Sequence, residues 1–436
     1  MRIITEEVFI PRKELSLDGL KALKDYYLRK ISLKFPTGRP VRFVVTKSEK
    51  RGYNCEIDFI VFEKFDKKHK SKGKNAFFDF RRREFEDAEK FTAVLIIPTG
   101  IGAELGGHCG DGNAVARLIA SACDTLITHP NVVNASDINE MTENTLYVEG
   151  SILTRLLMGQ IGLERVRSNK ILMLMDKHPD KFFNEEIINA VSSARITLGI
   201  DCDVLALKDT IESKSTYSKS GRATGEILHL ESLFNIIEKY KYKYGAFGLS
   251  TFISVPSDYY KKYFLKNEEM VNPWGGVEAM LTHSLAEILD MPCAHSPMMI
   301  SREIDNLELG IVDPRKAPET ASITYLHCIL KGLHKAPRVT SPDKGINAEN
   351  ISCMIIPDKC IGLPTLACIE QGIPVIAVRE NKNKMKNNLK DLPFERGKLF
   401  IVDNYLEAVG VMHALKTGVS VESVRRPIRH TTVLNS

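Results

Sequence analysis

The chain has 436 residues, 43% of them apolar and 26% charged, and its formal net charge is +5 at pH 7. A chain of this length and apolar content can bury a large core, which predicts two or three domains or one large α/β body. So small a net charge disfavours nucleic-acid binding by the protein as a whole, and it also disfavours an acidic, solvating protein.

The N-terminal residues, the apolar runs and the cysteines predict a soluble protein of the cytoplasm. Acidic Glu6 and Glu7 stand where a signal peptide would have its apolar centre. No apolar run reaches the roughly 18 residues expected of a membrane span. The nine cysteines form no closely paired pattern, which is typical of reduced thiols rather than of a disulfide framework.

Residues 1–90 predict a small α+β appendage. A strand is expected at residues 8–12, an amphipathic helix at 17–31, and a strand pair at 41–46 and 54–62 with Gly52 in the turn. A lysine-rich segment follows at residues 64–74. It favours a solvated loop, while an arm that contacts phosphates is the alternative, although the segment lacks the interleaved aromatics that stacking on bases would need.

From residue 91 onward, short apolar runs alternate with helical patterns, which predicts βαβ construction. The predicted strands are 93–98, 124–128, 145–148, 170–175, 203–207, 246–253, 353–357, 374–378 and 399–402. The predicted helices are 113–122, 151–160, 184–196, 230–242, 275–290, 318–332, 363–371 and 404–416. The expected fold is therefore α/β, with mainly parallel, Rossmann-like sheets, flanking helices and the N-terminal appendage.

A hydrophilic break at residues 213–225 suggests a boundary between two lobes. The predicted organisation is thus an N-terminal region at 1–90, an α/β lobe at 91–212, a second α/β lobe at 213–416, and a loosely ordered tail at 417–436.

A glycine-rich loop follows the first predicted strand of the α/β part. It holds six glycines between Gly100 and Gly112, and glycines let backbone N–H groups approach a bound group closely. Gly100, Gly102, Gly106 and Gly107 are therefore candidates for binding a phosphate or a carboxylate. The spacing matches neither the usual dinucleotide motif nor a P-loop, and tight turns at a sheet edge are the alternative interpretation.

Polar residues gather where neighbouring strands end, which is where ligands bind in open α/β sheets. Asp111, His129 and Glu149 are the candidates for acid–base roles. Asn131 and Asn134 are candidates for orienting the ligand, or they form turns through their own backbone. No close-spaced zinc pattern is present, so no metal is predicted, and the sequence indicates no particular cofactor.

Arg222 stands in a compact polar segment at residues 220–226. A guanidinium group can grip a carboxylate or phosphate in bidentate fashion, which makes Arg222 a candidate anion-binding residue. An exposed arginine on a surface loop is the alternative.

Two cysteine neighbourhoods suggest proton transfer by thiols. Cys293 lies two residues before His295, and Cys360 precedes a predicted helix whose dipole is expected to lower the thiol pKa. Each pattern resembles one cysteine loop of aspartate/glutamate racemases, which use opposed cysteines, although the two loops occur here in the reverse order. Ordinary buried or surface thiols are the alternative.

The segments 98–103 (PTGIGA) and 128–135 (THPNVVNA) resemble a family of bacteria and plastids catalogued as a domain of unknown function. The resemblance extends over about residues 91–412 and departs from the family at His108 and Cys109, where an apolar or small pair is expected. It implies no reaction, cofactor or catalytic residue.

Together these features predict a cytosolic enzyme that acts on a small anionic metabolite by acid–base chemistry, as an isomerase, lyase or transferase rather than an oxidoreductase. The alternative is a nucleotide or metabolite sensor without turnover. Neither membrane nor nucleic-acid partners are expected, and a homo-oligomer is left open.

Overall fold

The computed structural model describes residues 1–15, 20–62, 76–265, 270–302, 309–322 and 324–433. The predicted lysine-rich loop at 64–74 lies outside these ranges.

Strands and helices together make a mixed α/β fold. The strands are β1 (Arg2–Pro11), β2 (Gly38–Ser48), β3 (Gly52–Val61), β4 (Thr92–Leu95), β5 (Thr125–Thr128), β6 (Thr145–Tyr147), β7 (Gly162–Glu164), β8 (Lys170–Met175), β9 (Asp201–Ala206), β10 (Glu212–Tyr217), β11 (Ala223–Leu228), β12 (Ala246–Phe252), β13 (Cys293–Met298), β14 (Arg338–Thr340), β15 (Ile351–Pro357), β16 (Ile361–Gly362), β17 (Val375–Val378) and β18 (Leu399–Val402). The helices are α1 (Leu20–Tyr26), α2 (Asn113–Ala120), α3 (Pro130–Val133), α4 (Gly150–Leu157), α5 (Lys181–Thr197), α6 (Glu231–Tyr240), α7 (Ser257–Leu265), α8 (Gly275–Leu289), α9 (His327–His334), α10 (Leu363–Gln371) and α11 (Tyr405–Lys416).

A six-stranded parallel sheet has the order β18-β17-β15-β4-β5-β6. If the six strands are numbered by their order along the chain, from β4 as 1 to β18 as 6, their order across the sheet is 6-5-4-1-2-3. The direction of winding therefore reverses between β4 and β15. Both central strands are apolar and buried, as expected for strands covered on two faces. A crevice therefore opens at the carboxyl ends of these two strands, where ligands bind in sheets of this kind.

A second parallel sheet has the order β13-β12-β8-β9, and β14 pairs with β7 in a short antiparallel ribbon. Buried apolar side chains from this sheet and from the six-stranded parallel sheet belong to one contiguous cluster. None of the described helices is both long and apolar enough to cross a membrane.

The N-terminal strands belong to an antiparallel sheet with the order β10-β11-β1-β3-β2-β16. The segment at 213–225, predicted to be a break between lobes, thus contributes the strands β10 and β11. The first parallel sheet likewise draws strands from both sides of residue 213. The sheets therefore do not follow the predicted boundaries at residues 90 and 212, because strand pairing joins segments that are distant along the chain.

The α/β class and all nine strands predicted after residue 91 are confirmed. The helix expected at 318–332 begins later, at His327, after a short 3-10 turn at Ala317–Thr320. After residue 91, the sequence pattern did not predict the helices α3 and α7 or the strands β7, β10, β11, β13, β14 and β16, and β13 was interpreted only as a cysteine loop.

Candidate functional site

Two adjoining cavities lie at the carboxyl end of the first parallel sheet. The first cavity has a volume of about 170 Å³ and the second about 110 Å³. Both are lined by the same five residues, Thr99, His129, Gly150, Ala279 and His283. The second cavity also contacts Ile96 and Ile356, which lie at the ends of β4 and β15. It therefore occupies the crevice where the winding of the sheet reverses.

Helix α8 lines the first cavity with one face. The lining residues are Gly275, Glu278, Ala279, Thr282 and His283, and the three- and four-residue intervals among them place them along one side of the helix. Strand β13 contributes His295 and Ser296. The site is thus built from the ends of the parallel strands, from α8 and β13, and from the segments that carry Tyr260, Trp274 and Glu319.

A buried carboxylate–imidazole pair stands where the two cavities meet. The Oε1 atom of Glu149 lies 2.6 Å from the Nδ1 atom of His283. The Oε2 atom accepts hydrogen bonds from the backbone N–H groups of Ser151 and Ile152, so Glu149 also caps helix α4. Burial raises the Glu149 pKa, but His283 and Ser151 outweigh burial and lower the pKa to about 2. The ionised Glu149 carboxylate therefore lies against the Nδ1 side of the His283 ring as an ion-pair contact.

Glu319 is a second carboxyl group of the first cavity. Its Oε1 atom accepts hydrogen bonds from the Cys109 N–H at 2.6 Å, the Tyr263 hydroxyl at 2.8 Å and the Asn272 amide at 3.1 Å. Burial raises its pKa to about 7 even though these donors oppose the change. Glu319 can therefore gain or lose a proton near neutral pH, which is the range in which acid–base catalysts operate.

A second carboxylate–imidazole pair lies in the same cavity. The Nδ1 atom of His295 is 3.6 Å from the Oε2 atom of Glu278, and its Nε2 atom is 2.9 Å from the Thr251 hydroxyl. His295 was predicted from the sequence and lines the first cavity. Its partner Glu278 was not predicted.

His129 lines both cavities, but one ring nitrogen is already occupied. Its Nε2 atom accepts a hydrogen bond from the Ile97 N–H at 3.1 Å. Burial, together with the nearby His283, lowers its pKa to about 4. His129 is therefore neutral at pH 7, with its proton on Nδ1, and it can act as a hydrogen-bond donor rather than as a base through Nε2.

Asn131 and Asn134 also line the first cavity, as expected of residues that orient a ligand. The Asn131 amide donates to the carbonyl oxygens of Ile97 and Gly106. Asn134 exchanges hydrogen bonds with the Tyr147 hydroxyl. Their side chains are thus fixed in place, and their predicted role in ligand binding stays a prediction.

The glycines of the glycine-rich loop line neither cavity, although two other residues of this loop do: Ile101 lines the second cavity and Cys109 the first. Gly100, Gly102 and Gly106 have positive φ angles, and a Cβ atom on Gly107 would lie 1.9 Å from the Ala103 carbonyl oxygen. These glycines therefore form tight turns, in contrast to their predicted role in binding an anion.

Asp111 holds this loop together from inside. Its Oδ1 atom accepts hydrogen bonds from the backbone N–H groups of Gly106 and His108. Burial raises its pKa to about 7, but the residue is not part of either cavity wall. Asp111 therefore has a structural position, in contrast to its predicted role as a catalytic acid or base.

Arg222 is a buried structural cation of the antiparallel sheet. Its Nε atom donates to Glu56 at 2.5 Å, and its Nη2 atom donates to Asp58 at 3.3 Å. The Arg222 side chain is 1% exposed and lines neither cavity. This corrects the prediction that Arg222 binds a substrate anion, because two carboxylates of β3 already hold its guanidinium group.

The two predicted cysteines do not face each other across a cavity. Cys360 lines the second cavity, whereas Cys293 lines neither and donates to the Thr282 carbonyl oxygen. Burial raises the pKa of both thiols. The expected lowering of the Cys360 pKa was wrong, because the loss of hydration outweighs the helix dipole.

Sequence reasoning missed His283, Glu278 and Glu319. Most residues of helix α8 are apolar and buried, and Glu278, Thr282 and His283 form a polar stripe on the face that lines the first cavity. That stripe is the signal that could have identified two of the missed residues, because buried polar groups need a partner or a function. Among the described residues, no group of three potential ligands is placed to hold a metal ion.

Comparisons with known proteins agree with the resemblance seen in the sequence. An uncharacterized lipoprotein of Synechococcus sp. is 32% identical over 356 residues, which are 79% of this chain and 96% of that protein. No solved structure matches the chain. The family model described as "Protein of unknown function (DUF3326)" matches residues 92–425, and the chain therefore belongs to this family.

Proposed function

We propose that the protein is an enzyme that moves protons to and from a small metabolite, with His283 as the acid–base group. The single observation that carries this proposal is the 2.6 Å contact between the Nδ1 atom of His283 and the Oε1 atom of Glu149 at the junction of two cavities. A buried carboxylate beside an imidazole nitrogen favours the tautomer with its proton on that nitrogen, which suits the ring to act as a base through the other nitrogen.

Glu319 supports the proposal as a second proton carrier. It lines the same cavity as His283, and its pKa of about 7 allows both protonation states at neutral pH. A base and an acid in one cavity suit isomerisation, elimination or group transfer, because each of these reactions removes one proton and delivers another.

The fold and the location complete the proposal. The strand order and the crevice between β4 and β15 support a Rossmann-like description of the first parallel sheet.

We place the enzyme in the cytoplasm. Since the Synechococcus relative is named a lipoprotein, fractionation of the native host is the test, and recovery with membranes would contradict this location.

The test of the activity is proton exchange with deuterated water. The protein is incubated with a metabolite extract of its host in D₂O, and mass spectrometry identifies compounds that gain deuterium. We expect exchange by the wild type and a loss of about 10²- to 10⁴-fold in His283→Ala, the range typical of a general acid–base group. His413→Ala is the matched control, because His413 is an exposed histidine of α11.

Exchange that persists in His283→Ala would overturn the assigned role. A metabolite that binds without any exchange or conversion would instead favour a sensor.

A further inference from the structure

The two cavities differ in the charges that line them. Among the described lining residues, the first cavity has the carboxyl groups of Glu149, Glu278 and Glu319 and no lysine or arginine. The second cavity has Arg42 and neither aspartate nor glutamate. The two cavities together form a cleft with carboxylates at one end and an arginine at the other, and His283 lines both cavities.

The first cavity has features that suit an ammonium group. Tyr260, Phe264 and Trp274 form one wall, with ring centroids 5.0 Å apart for Tyr260 and Phe264 and 5.8 Å apart for Tyr260 and Trp274. Glu278 lies in the same cavity with its side chain 26% exposed. Aromatic faces and carboxylates both attract cations, and the attraction grows when water is excluded.

A buried hydroxyl marks the first cavity as a binding site independently of these charges. Ser136 is 1% exposed and lines the cavity, and its Oγ atom has no hydrogen-bond partner in the described part of the chain. A buried hydroxyl without a partner is costly. A ligand with a polar atom would satisfy it.

The second cavity has an arginine with spare donors. The Nε atom of Arg42 lies 2.8 Å from the Oδ2 atom of Asp58, and the Arg42 side chain is 11% exposed. Its Nη2 atom is buried and has no hydrogen-bond partner within the described ranges. Asp58 also accepts from Thr5 and Arg222. A carboxylate in the cavity would give Arg42 the acceptor that it lacks.

We propose that the two cavities are subsites for the two ends of one zwitterionic substrate, with its ammonium group beside Glu278 and its carboxylate beside Arg42. The substrate class is thus a small amino carboxylate whose reacting carbon lies next to His283. This inference rests on the proposed function for the role of His283, but the binding that it describes needs no turnover.

The test uses simple compounds of increasing length as probes. Binding of 4-aminobutyrate, 5-aminopentanoate and 6-aminohexanoate is measured by isothermal titration calorimetry beside hexylamine and hexanoate, which carry one charged end each. We expect one amino carboxylate to bind at least tenfold more tightly than either singly charged compound. Equal affinities for all five compounds would overturn the proposal.

Variants of the two cavities test which residue binds the carboxylate of the probe and which binds its ammonium group. Arg42→Gln is expected to remove the tenfold advantage while hexylamine binding is unchanged, and Glu278→Gln is expected to weaken hexylamine. Arg42→Lys keeps the charge and provides a second variant where the glutamine variant fails to fold. An advantage that survives both Arg42 variants would contradict the assigned carboxylate subsite.

A further variant separates this inference from the proposed function. His283→Ala is expected to keep the preference for the amino carboxylate although it loses proton exchange. If His283→Ala loses proton exchange but keeps the preference for the amino carboxylate, both conclusions are supported. If the wild type exchanges protons but shows no preference for the amino carboxylate, only the zwitterionic substrate class is overturned.

Discussion

The imidazole ring of His283 packs directly on the backbone of Gly150. A Cβ atom added to Gly150 would lie 2.7 Å from the Cε1 atom and 3.1 Å from the Nε2 atom of His283. Gly150 begins α4 immediately after the cap residue Glu149. At this helix N-terminus, the Glu149 carboxylate contacts the imidazole of His283, and the missing side chain of Gly150 leaves space for the ring.

Gly150→Ala should displace His283 without unfolding the protein. The added methyl group collides with the ring, whereas alanine suits a helix better than glycine by up to about 1 kcal/mol. We expect proton exchange to fall at least tenfold with little change in thermal stability. Gly410→Ala is the matched control, because Gly410 lies in α11 with nothing within 4 Å of its added Cβ. Equal activity of the two variants would contradict the packing argument.

Acid should destabilise the protein partly through Glu149. Its pKa is lowered from 4.5 to about 2 in the folded protein, so its contribution to the free energy of unfolding is fully present above pH 4.5. It is lost as the pH falls towards 2, and its full size is on the order of 3 kcal/mol. Urea unfolding at pH 5 and pH 3 should show a steeper loss for the wild type than for Glu149→Gln. Parallel losses would mean that the pKa of Glu149 is close to its ordinary value.

Glu319 should titrate near neutral pH with the opposite effect on stability. Its pKa is raised from 4.5 to about 7, so the folded state binds this proton more tightly and the free energy of unfolding declines as pH rises between these values. Infrared difference spectra should show a carboxyl band that disappears with a midpoint near pH 7. Glu319→Gln should remove that band, while Asp111→Asn removes the separate band of the other carboxyl group with a pKa of about 7. A spectrum unchanged by Glu319→Gln would contradict this prediction.

Replacement of Arg222 should reduce stability rather than ligand binding. Arg222→Met leaves Glu56 and Asp58 buried without this cation, and loss of one partner of a buried ion pair costs about 3–5 kcal/mol. Arg379→Met is the control, because Arg379 and Asp403 form an exposed pair that contributes at most about 1 kcal/mol. Similar denaturation midpoints for the two variants would show that Arg222 is not the structural cation described above.

The sequence predicted the strands of the parallel sheets well because a buried strand is apolar over its whole length, as in Ala93–Leu95. It also predicted that His129, Asn131, Asn134 and Glu149 lie near one another, and all four line the first cavity, since the carboxyl ends of parallel strands meet at one edge of a sheet. Those four residues needed only the local pattern of strand and loop.

The remaining site residues depended on contacts that no local pattern specifies. His283 lies in the middle of α8, and only tertiary packing brings it to Glu149. The small, polar neighbours of Arg222 predict a loop. In the structure, Arg222 directly precedes β11, and its guanidinium group donates hydrogen bonds to the carboxylates of Glu56 and Asp58 on β3. Contacts between segments distant along the chain thus decided both of these outcomes.

The order of the first parallel sheet also affects how the protein is made. Strand β4 lies between β5 and β15, and β15 begins only at Ile351. On a ribosome that adds about 5–20 residues per second, one edge of β4 waits roughly 10 to 50 seconds for its partner. An apolar strand with an open edge can pair with other chains, so the nascent chain carries this unpaired edge until β15 has been synthesised.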